Sequence, residues 1–455
     1  MSYDTLYFVA YFALFYSLWS LGVWRGALLL ATSIGFYLAA GWRDSTIAAV
    51  ILLFNYAASF AVARDRRWLA PIVGADLGCL AYFKYRAFLS GQVPGFDLFS
   101  EQIVIPLGIS FYIFQLIAYQ VDLASGQAPL IRSLPRFALF KLYFAQLVAG
   151  PITRAKQLAP QIALIFDGRI RLCRLAGIGL GLCLLGLVKK IVIADSLAPF
   201  ADAIFRLGPA DAHTAWLGVW LFGFQIYYDF SGYSDIALGL ALLCGIRLPV
   251  NFRQPYLAPT PQAFWRHWHI TLSTWIRDYL YIPLGGSQGG WARQALVLFT
   301  VMGLAGLWHG ANWTFIVWGL GWAAAILLWR HAGGFFARLG AGQWLLTLVI
   351  AFVLWVFFRA PDLPAALRYI GTMFGLGAAG TGGFPDDGAG GALILLGALA
   401  LLALQSAERL LFSRRATFWL LRHDGPVLRG LFVGLALWLV ILPKVSNVPF
   451  IYFRF

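Results

Sequence analysis

The sequence predicts an all-α polytopic membrane protein. Of its 455 residues, 61% are hydrophobic and only 12% are charged, whereas soluble domains carry about 25% charged residues. Because a membrane-spanning helix needs about 20 apolar residues, the apolar content leaves room for roughly ten to twelve spans plus re-entrant or interfacial helices. This composition excludes a water-soluble globular enzyme.

The first hundred residues predict four apolar helices, near residues 7–21, 26–41, 46–63 and 68–83. Beyond the loop 89–101, polar and charged side chains interrupt the apolar runs at unusual density. We therefore expect one integral membrane domain with three parts, which are N-terminal spans over 1–100, a motif-bearing core over 101–330, and C-terminal spans with an aromatic tail over 331–455.

The chain carries a formal net charge of +15. Its basic residues form short clusters between apolar runs, such as Arg64, Arg66 and Arg67. In membrane proteins Lys and Arg concentrate in cytoplasmic loops, where anionic lipid headgroups neutralise them. The positive charge therefore indicates membrane lipids as partners and is compatible with an anionic cytosolic substrate. It does not require nucleic acid.

The sequence gives little support to a metal centre. The four cysteines lie among apolar neighbours and form no C-x-x-C pair, so we interpret them as core thiols. His267, His269 and His309 could together suggest zinc, but helical positions two apart point about 200° away from each other. No further cysteine or carboxylate is placed to complete a tetrahedral shell. We expect no metal and no bound cofactor.

A long uncharged window separates Arg293 from Arg330 and contains His309. As one straight helix it would extend about 54 Å, well beyond a hydrocarbon core of about 30 Å, so we predict a break at residues 308–312. Ionisable groups inside a membrane are expensive and usually functional. We therefore predict that His309 is a general base. The alternative is a histidine that merely joins helices through a backbone carbonyl.

Residues 264–286, FWRHWHITLSTWIRDYLYIPLGG, are too polar to face lipid and too aromatic for a solvated loop. They predict a short amphipathic or re-entrant helix that lines a watery cavity. His269 is the second candidate catalytic residue, with an interfacial histidine hydrogen-bonded to water as the alternative. We also expect substrate contacts from the neighbouring side chains Trp308, Asn312, Arg266 and Asp278.

Lys189 and Lys190 end the apolar run 175–188. The favoured interpretation is a span terminus whose ammonium groups reach the membrane interface, and contact with an anionic donor substrate is the alternative. Asp229 and Asp235 flank FSGYS, a polar stretch at which a helix could bend.

The C-terminal residues 449–455, PFIYFRF, are too aromatic to be comfortable in water. Tyr452 is either an anchor in the aromatic belt of the membrane or a reactive phenol. An aryl ester is an activated acyl group, so this phenol could relay an acyl group from a thioester to a sugar hydroxyl.

A series of long motifs occurs in order between residues 105 and 319: IPLGISFYIFQ, QLVAGPITR, GLVKKIVIADSLA, QIYYDFSGYSDIALG, NFRQPY, the segment 264–286, and GLWHGANWTFIVWG. Together with the aromatic C-terminus, this series resembles the membrane-bound O-acyltransferase (MBOAT) family. The resemblance is to its bacterial branch, which includes alginate O-acetylation and teichoic acid D-alanylation proteins. His267 is a departure, because relatives often have arginine there.

The resemblance implies an MBOAT-type helical bundle around a central funnel. It implies that His309 matches the near-universal histidine of the family, that His269 matches its second active-site histidine, and that Tyr452 receives the acyl group transiently. It also implies a cytosolic acyl thioester, acetyl-CoA, as donor and a bacterial inner-membrane location. An extracytoplasmic acyltransferase would be the partner, and a polysaccharide such as alginate the acceptor.

Two other functions stay open at this point. A transporter or flippase for a polysaccharide intermediate would need no covalent step, but the chain shows no internal repeat and few carboxylates for a proton relay. A lipid O-acyltransferase would share the chemistry but would need a lateral hydrophobic entrance, and the terminal aromatic motif argues against it.

Overall fold

The computed structural model describes residues 5–90, 105–147, 150–170, 175–376, 389–411 and 413–441. Within these ranges the chain forms α-helices and short 3-10 or π-helical turns, with no β-strand. The predicted all-α fold is therefore confirmed. Tyr452 lies outside the described residues.

The first nine helices are α1 Leu6–Ser20, α2 Arg25–Leu38, α3 Trp42–Arg64, α4 Leu69–Ser90, α5 Ile109–Ala124, α6 Leu134–Leu142, α7 Phe144–Leu147, α8 Ala155–Phe166 and α9 Ala176–Leu187. Helices α1–α4 coincide with the four apolar runs of the first hundred residues, and this prediction is confirmed. The π-helical segment Val188–Ala194 continues α9 directly into the next helix.

The remaining helices are α10 Asp195–Leu207, α11 Ala212–Leu243, α12 Pro261–His267, α13 Ile270–Ile276, α14 Trp291–His309, α15 Trp313–Ala337, α16 Ala341–Arg359, α17 Leu363–Met373, α18 Ala389–Leu411, α19 Arg414–His423 and α20 Pro426–Ile441. A second π-helical segment, Arg277–Tyr281, extends α13. Helix α11 runs through Asp229 and Asp235 without a turn, so the polar stretch between them does not end it.

Five helical segments are long and apolar enough to cross a membrane: Trp42–Arg64, Ala176–Leu207, Trp291–His309, Trp313–Ala337 and Ala341–Arg359. Four shorter helices are also apolar: Leu6–Ser20, Arg25–Leu38, Ile109–Ala124 and Pro426–Ile441. These helices fit a polytopic membrane protein. The number of ten to twelve spans stays a prediction, as does the central funnel.

The described residues cluster into two compact units. Unit 1 takes its residues from Met1–Val188, Gly232–Val250 and Leu420–Leu442, and unit 2 takes most of its residues from Lys189–Ser231 and Asn251–Trp419. Neither unit is one continuous stretch of chain. The predicted part boundaries near residues 100 and 330 stay predictions.

Unit 1 contains an aromatic core and a buried polar network. Phe144 packs against rings from α1 and α2, including Phe8 at 6.4 Å and Phe36 at 6.3 Å between centroids. In the polar network, Asn55 of α3 donates to Asp76 of α4 at 2.8 Å and accepts from Gln120 of α5. Buried amide and carboxylate groups are therefore hydrogen-bonded across three helices, as burial requires.

Unit 2 is built around the antiparallel pair α14 and α15. A Cβ added to Gly306 would lie 2.1 Å from the carbonyl oxygen of Phe315, and one added to Gly319 would lie 2.1 Å from that of Met302. Only glycine at these two positions lets the helix backbones approach so closely, as small residues do at membrane helix interfaces. This contact fixes the end of α14, where His309 lies.

Candidate active site

The uncharged window breaks where the sequence predicts. Helix α14 ends at His309, Gly310 is extended, and α15 starts at Trp313. Asn312 caps α15, since its side chain accepts from the Thr314 amide at 3.1 Å and donates to the Pro361 carbonyl at 2.8 Å. The structure thus uses the Asn312 side chain to build the break, and its contact with substrate stays a prediction.

His309 is buried inside the protein, with 3% of its surface exposed. Its imidazole packs edge-on against three aromatic rings, with centroid distances of 4.9 Å to Trp308, 5.0 Å to Trp318 and 5.2 Å to Phe358. Aromatic rings therefore form much of the surroundings of the His309 imidazole, and a neutral imidazole is the form that can accept a proton.

His269 occupies the turn between α12 and α13, outside the five candidate spans. It is fully buried and has a left-handed backbone with φ of 41°, an uncommon conformation that persists only where the surroundings enforce it. Its ring lies 4.7 Å from that of Phe230, and its Nδ1 is 3.0 Å from Oδ1 of Asn251. Burial lowers the pKa of His269 from 6.5 to about 3, so this ring is neutral at physiological pH.

Trp308 contacts both histidines. Its ring centroid is 4.9 Å from that of His309 and 6.4 Å from that of His269. Helix α14 and the α12–α13 turn therefore bring together two imidazoles that are 40 positions apart in the sequence. The contact of Trp308 with substrate stays a prediction.

A wall of buried tryptophans continues from this pair. Trp318 packs on His309, and Trp355 lies 6.0 Å from Trp318 and 4.9 Å from Trp268. The indole N–H groups of Trp318, Trp322 and Trp355 are buried without a hydrogen-bond acceptor among the described residues. Buried donors of this kind call for an acceptor such as water or a ligand oxygen.

Arg266 and Asp278 lie in the same segment of the chain as His269. Arg266 lies in the last turn of α12 and is exposed. Asp278 pairs with the adjacent Arg277, with 2.6 Å between Oδ1 and Nε. Their roles as substrate contacts stay predictions.

Lys189 and Lys190 do not reach the membrane interface, and that expectation is wrong. Both are buried, with 2% and 1% of their surfaces exposed. Lys190 Nζ lies 2.7 Å from Asp195 and 3.0 Å from Asp229, while Lys189 Nζ lies 3.3 Å from Glu408. The two lysines can be buried because nearby carboxylates compensate the positive charges of their ammonium groups.

Sequence reasoning missed two of these residues. Asn251 stands in the motif NFRQPY without an assigned role, and its contact with His269 depends on a chain reversal over 18 positions. Glu408 is the single carboxylate in the sequence of the largely apolar helix α18, and it accepts a hydrogen bond from Tyr227 at 2.8 Å. A lone carboxylate in an apolar run was the available signal, since such a group needs a cationic partner.

The model of the membrane-bound O-acyltransferase family matches residues 5–360 of the chain. The chain belongs to the membrane-bound O-acyltransferase family. It is therefore an O-acyltransferase and a multi-pass membrane protein, and the transporter without covalent chemistry is set aside.

Three curated bacterial relatives are similar to this membrane-bound O-acyltransferase. The probable alginate O-acetylase of Pseudomonas putida is 41% identical over 373 residues, covering 78% of this chain and 76% of the relative. The peptidoglycan O-acetyltransferase of Helicobacter pylori is 35% identical over 397 residues, covering 76% and 73%. The teichoic acid D-alanyltransferase of Streptococcus thermophilus is 29% identical over 230 residues, covering 47% and 54%.

Proposed function

We propose that this O-acyltransferase moves an acetyl group from cytosolic acetyl-CoA across the bacterial inner membrane for O-acetylation of a cell-surface polysaccharide such as alginate. An extracytoplasmic acyltransferase completes the delivery. The names of the relatives support the acetyl group and the polysaccharide class. The basic loops of a +15 chain support an anionic thioester as donor.

One observation carries the chemistry. His309 and His269, which are distant in sequence, are both buried, and their ring centroids lie 4.9 Å and 6.4 Å from that of Trp308. In a neutral, water-poor site an imidazole lone pair is a competent general base. Two such rings are expected in a site where a hydroxyl must lose its proton and attack an acyl carbonyl.

In the proposed step, the imidazole of His309 takes the proton of a hydroxyl nucleophile. The nucleophile oxygen forms a bond to the acyl carbon, the bond from that carbon to the CoA sulfur breaks, and the proton passes from the imidazole to the thiolate. His269 either polarises the acyl carbonyl or positions the nucleophile. The products are an ester and CoA thiol, so atoms and charge balance.

Tyr452 is proposed as the first acceptor of the acyl group. Its phenyl ester would then be attacked from the extracytoplasmic side, and CoA would stay in the cytosol. Tyr452→Phe removes only the phenol oxygen, so surface acetylation should be lost while the aromatic anchor is kept. Full surface acetylation in this variant would reject the relay.

The role of His309 is tested with purified protein in lipid nanodiscs and radiolabelled acetyl-CoA. We expect His309→Ala to lower the rate of CoA release by about 10²–10⁴-fold, the usual contribution of general acid–base catalysis. His331→Ala is the matched control, because His331 is exposed. A His309→Ala protein that keeps the wild-type rate would contradict the proposal.

A second readout follows the product in cells. O-acetyl groups on the surface polysaccharide should disappear in the His309→Ala strain, with membrane-inserted protein at wild-type level. A smaller amount of surface polysaccharide, with the number of O-acetyl groups per sugar unchanged in the polymer that remains, would instead favour translocation of a polymer intermediate.

A further inference from the structure

The hydrogen bonds around Asn251 define which nitrogen of His269 carries the proton. The backbone N–H of Thr271 points at one side-chain atom of Asn251 at 3.3 Å, and the Thr271 hydroxyl lies 3.0 Å from the same atom. A backbone N–H is always a donor, so this atom is the amide oxygen and not the nitrogen. The orientation of the Asn251 amide is thereby fixed.

The same oxygen lies 3.0 Å from Nδ1 of His269. An amide oxygen has no proton to give, so Nδ1 must be the protonated nitrogen of the ring. In a neutral imidazole, Nε2 then carries the lone pair. Burial keeps this ring neutral, because it lowers the pKa of His269 to about 3.

We propose that Asn251 is a positioning residue that holds His269 as the Nδ1–H tautomer, so that Nε2 accepts a hydrogen bond from a hydroxyl of the acceptor substrate. Polarising the acyl carbonyl would need a donor at Nε2, which this tautomer does not have. Of the two roles proposed above for His269, the tautomer therefore favours positioning the nucleophile, which is the hydroxyl of the acceptor substrate. The substrate part of this inference rests on the proposed function, whereas the tautomer does not.

The local backbone supports a fixed arrangement. The amide of Ile270 donates to the Asn251 carbonyl at 2.9 Å, and the amide of Arg253 donates to the His267 carbonyl at 2.9 Å. These bonds tie the segment around residue 251 to both sides of the left-handed His269. Since neither involves the Asn251 side chain, they remain when that side chain is replaced.

The tautomer is read directly by nitrogen NMR of histidine-labelled protein in nanodiscs without substrate, with His269→Asn used to assign the signal. We expect the His269 signals of the wild type to show a protonated Nδ1 and an unprotonated Nε2. A protonated Nε2 would overturn the proposal regardless of any activity. Because no turnover is involved, this result is separate from the fate of the proposed function.

Asn251→Leu keeps the branched shape of the side chain but replaces the amide oxygen and nitrogen with two methyl groups, which removes the acceptor. We expect its His269 signals to lose the single Nδ1–H form and the rate of CoA release from acetyl-CoA to fall about a hundredfold, as for a reacting group held in the wrong geometry. The KM for acetyl-CoA should stay within about twofold, because the donor side is untouched. An unchanged tautomer and rate would overturn the proposal.

Thr271→Val is the matched control, because it removes one hydrogen bond to the Asn251 oxygen and leaves the oxygen facing His269. It should keep the wild-type tautomer. Asn251→Asp covers the case in which Asn251→Leu does not fold, since a carboxylate is also an acceptor and must keep Nδ1 protonated. Loss of the Nδ1–H signal in Asn251→Asp would count against the proposal.

Discussion

Two buried polar clusters of unit 2 differ in how their charges are compensated. The lysine cluster comprises Lys189, Lys190, Asp195, Asp229 and Glu408, and its ammonium and carboxylate groups meet at 2.7–3.3 Å. The histidine cluster comprises His269, His309 and the rings around them, and its imidazoles contact aromatic rings and the side-chain amide of Asn251.

The difference separates stability from chemistry. Removing one member of a buried ion pair leaves an uncompensated charge, so such pairs hold helices in place once they exist. A neutral imidazole among aromatic rings has no net charge that needs an ionic partner, and its lone pair can accept a proton. We therefore expect the lysine cluster to support the fold and the histidine cluster to support the reaction.

The largest effect on folding is expected for Lys190→Met. This change leaves Asp195 and Asp229 buried without their shared ammonium, and it should lower the free energy of unfolding by about 3–5 kcal/mol. Denaturant and thermal unfolding in detergent micelles measure it. Arg136→Met is the control, because the exposed Arg136–Asp167 pair is expected to contribute about 0–1 kcal/mol. Equal losses in the two variants would remove the contrast between buried and exposed pairs.

An intermediate effect is expected at the α14–α15 contact. Gly319→Ala adds a Cβ 2.1 Å from the Met302 carbonyl oxygen, so the helices must separate and the end of α14 must move. We expect about 1–3 kcal/mol of destabilisation and a lower rate of CoA release. Gly303→Ala is the matched control, since its Cβ would meet only Leu320 at 3.4 Å. If Gly303→Ala lost as much activity, helix separation would not be the cause.

The effect that is smallest at neutral pH, and that grows as the pH falls, is that of His269 on stability. The folded-state pKa of His269 lies near 3 and its ordinary value is 6.5, so between these values the unfolded chain binds a proton that the folded protein does not. Stability from this group is therefore complete above pH 6.5 and decreases as pH falls toward 3. Melting temperatures in micelles should fall less steeply between pH 6.5 and 4 for His269→Asn than for the wild type. Parallel curves would argue against a buried neutral His269.

Local sequence patterns predicted much of this molecule. The four N-terminal helices and the break after His309 follow from apolar run length and from a window too long for one span. The placement of Lys189 and Lys190 did not follow, because Asp229 and Glu408 lie on other helices, far along the chain. The local sequence around a lysine at the end of an apolar run does not indicate whether a carboxylate from a distant segment will pair with it.

The sequence by itself determined the all-helical membrane character, the family motifs and the identity of the two histidines, because composition and residue order encode these properties locally. Only the tertiary structure decided that the Trp308 ring lies 6.4 Å from that of His269, and that the Asn251 side-chain oxygen lies 3.0 Å from Nδ1 of His269. These contacts join segments that are distant along the chain. They exist because two glycines on α14 and α15 allow close helix packing, and because a left-handed turn directs one imidazole inward.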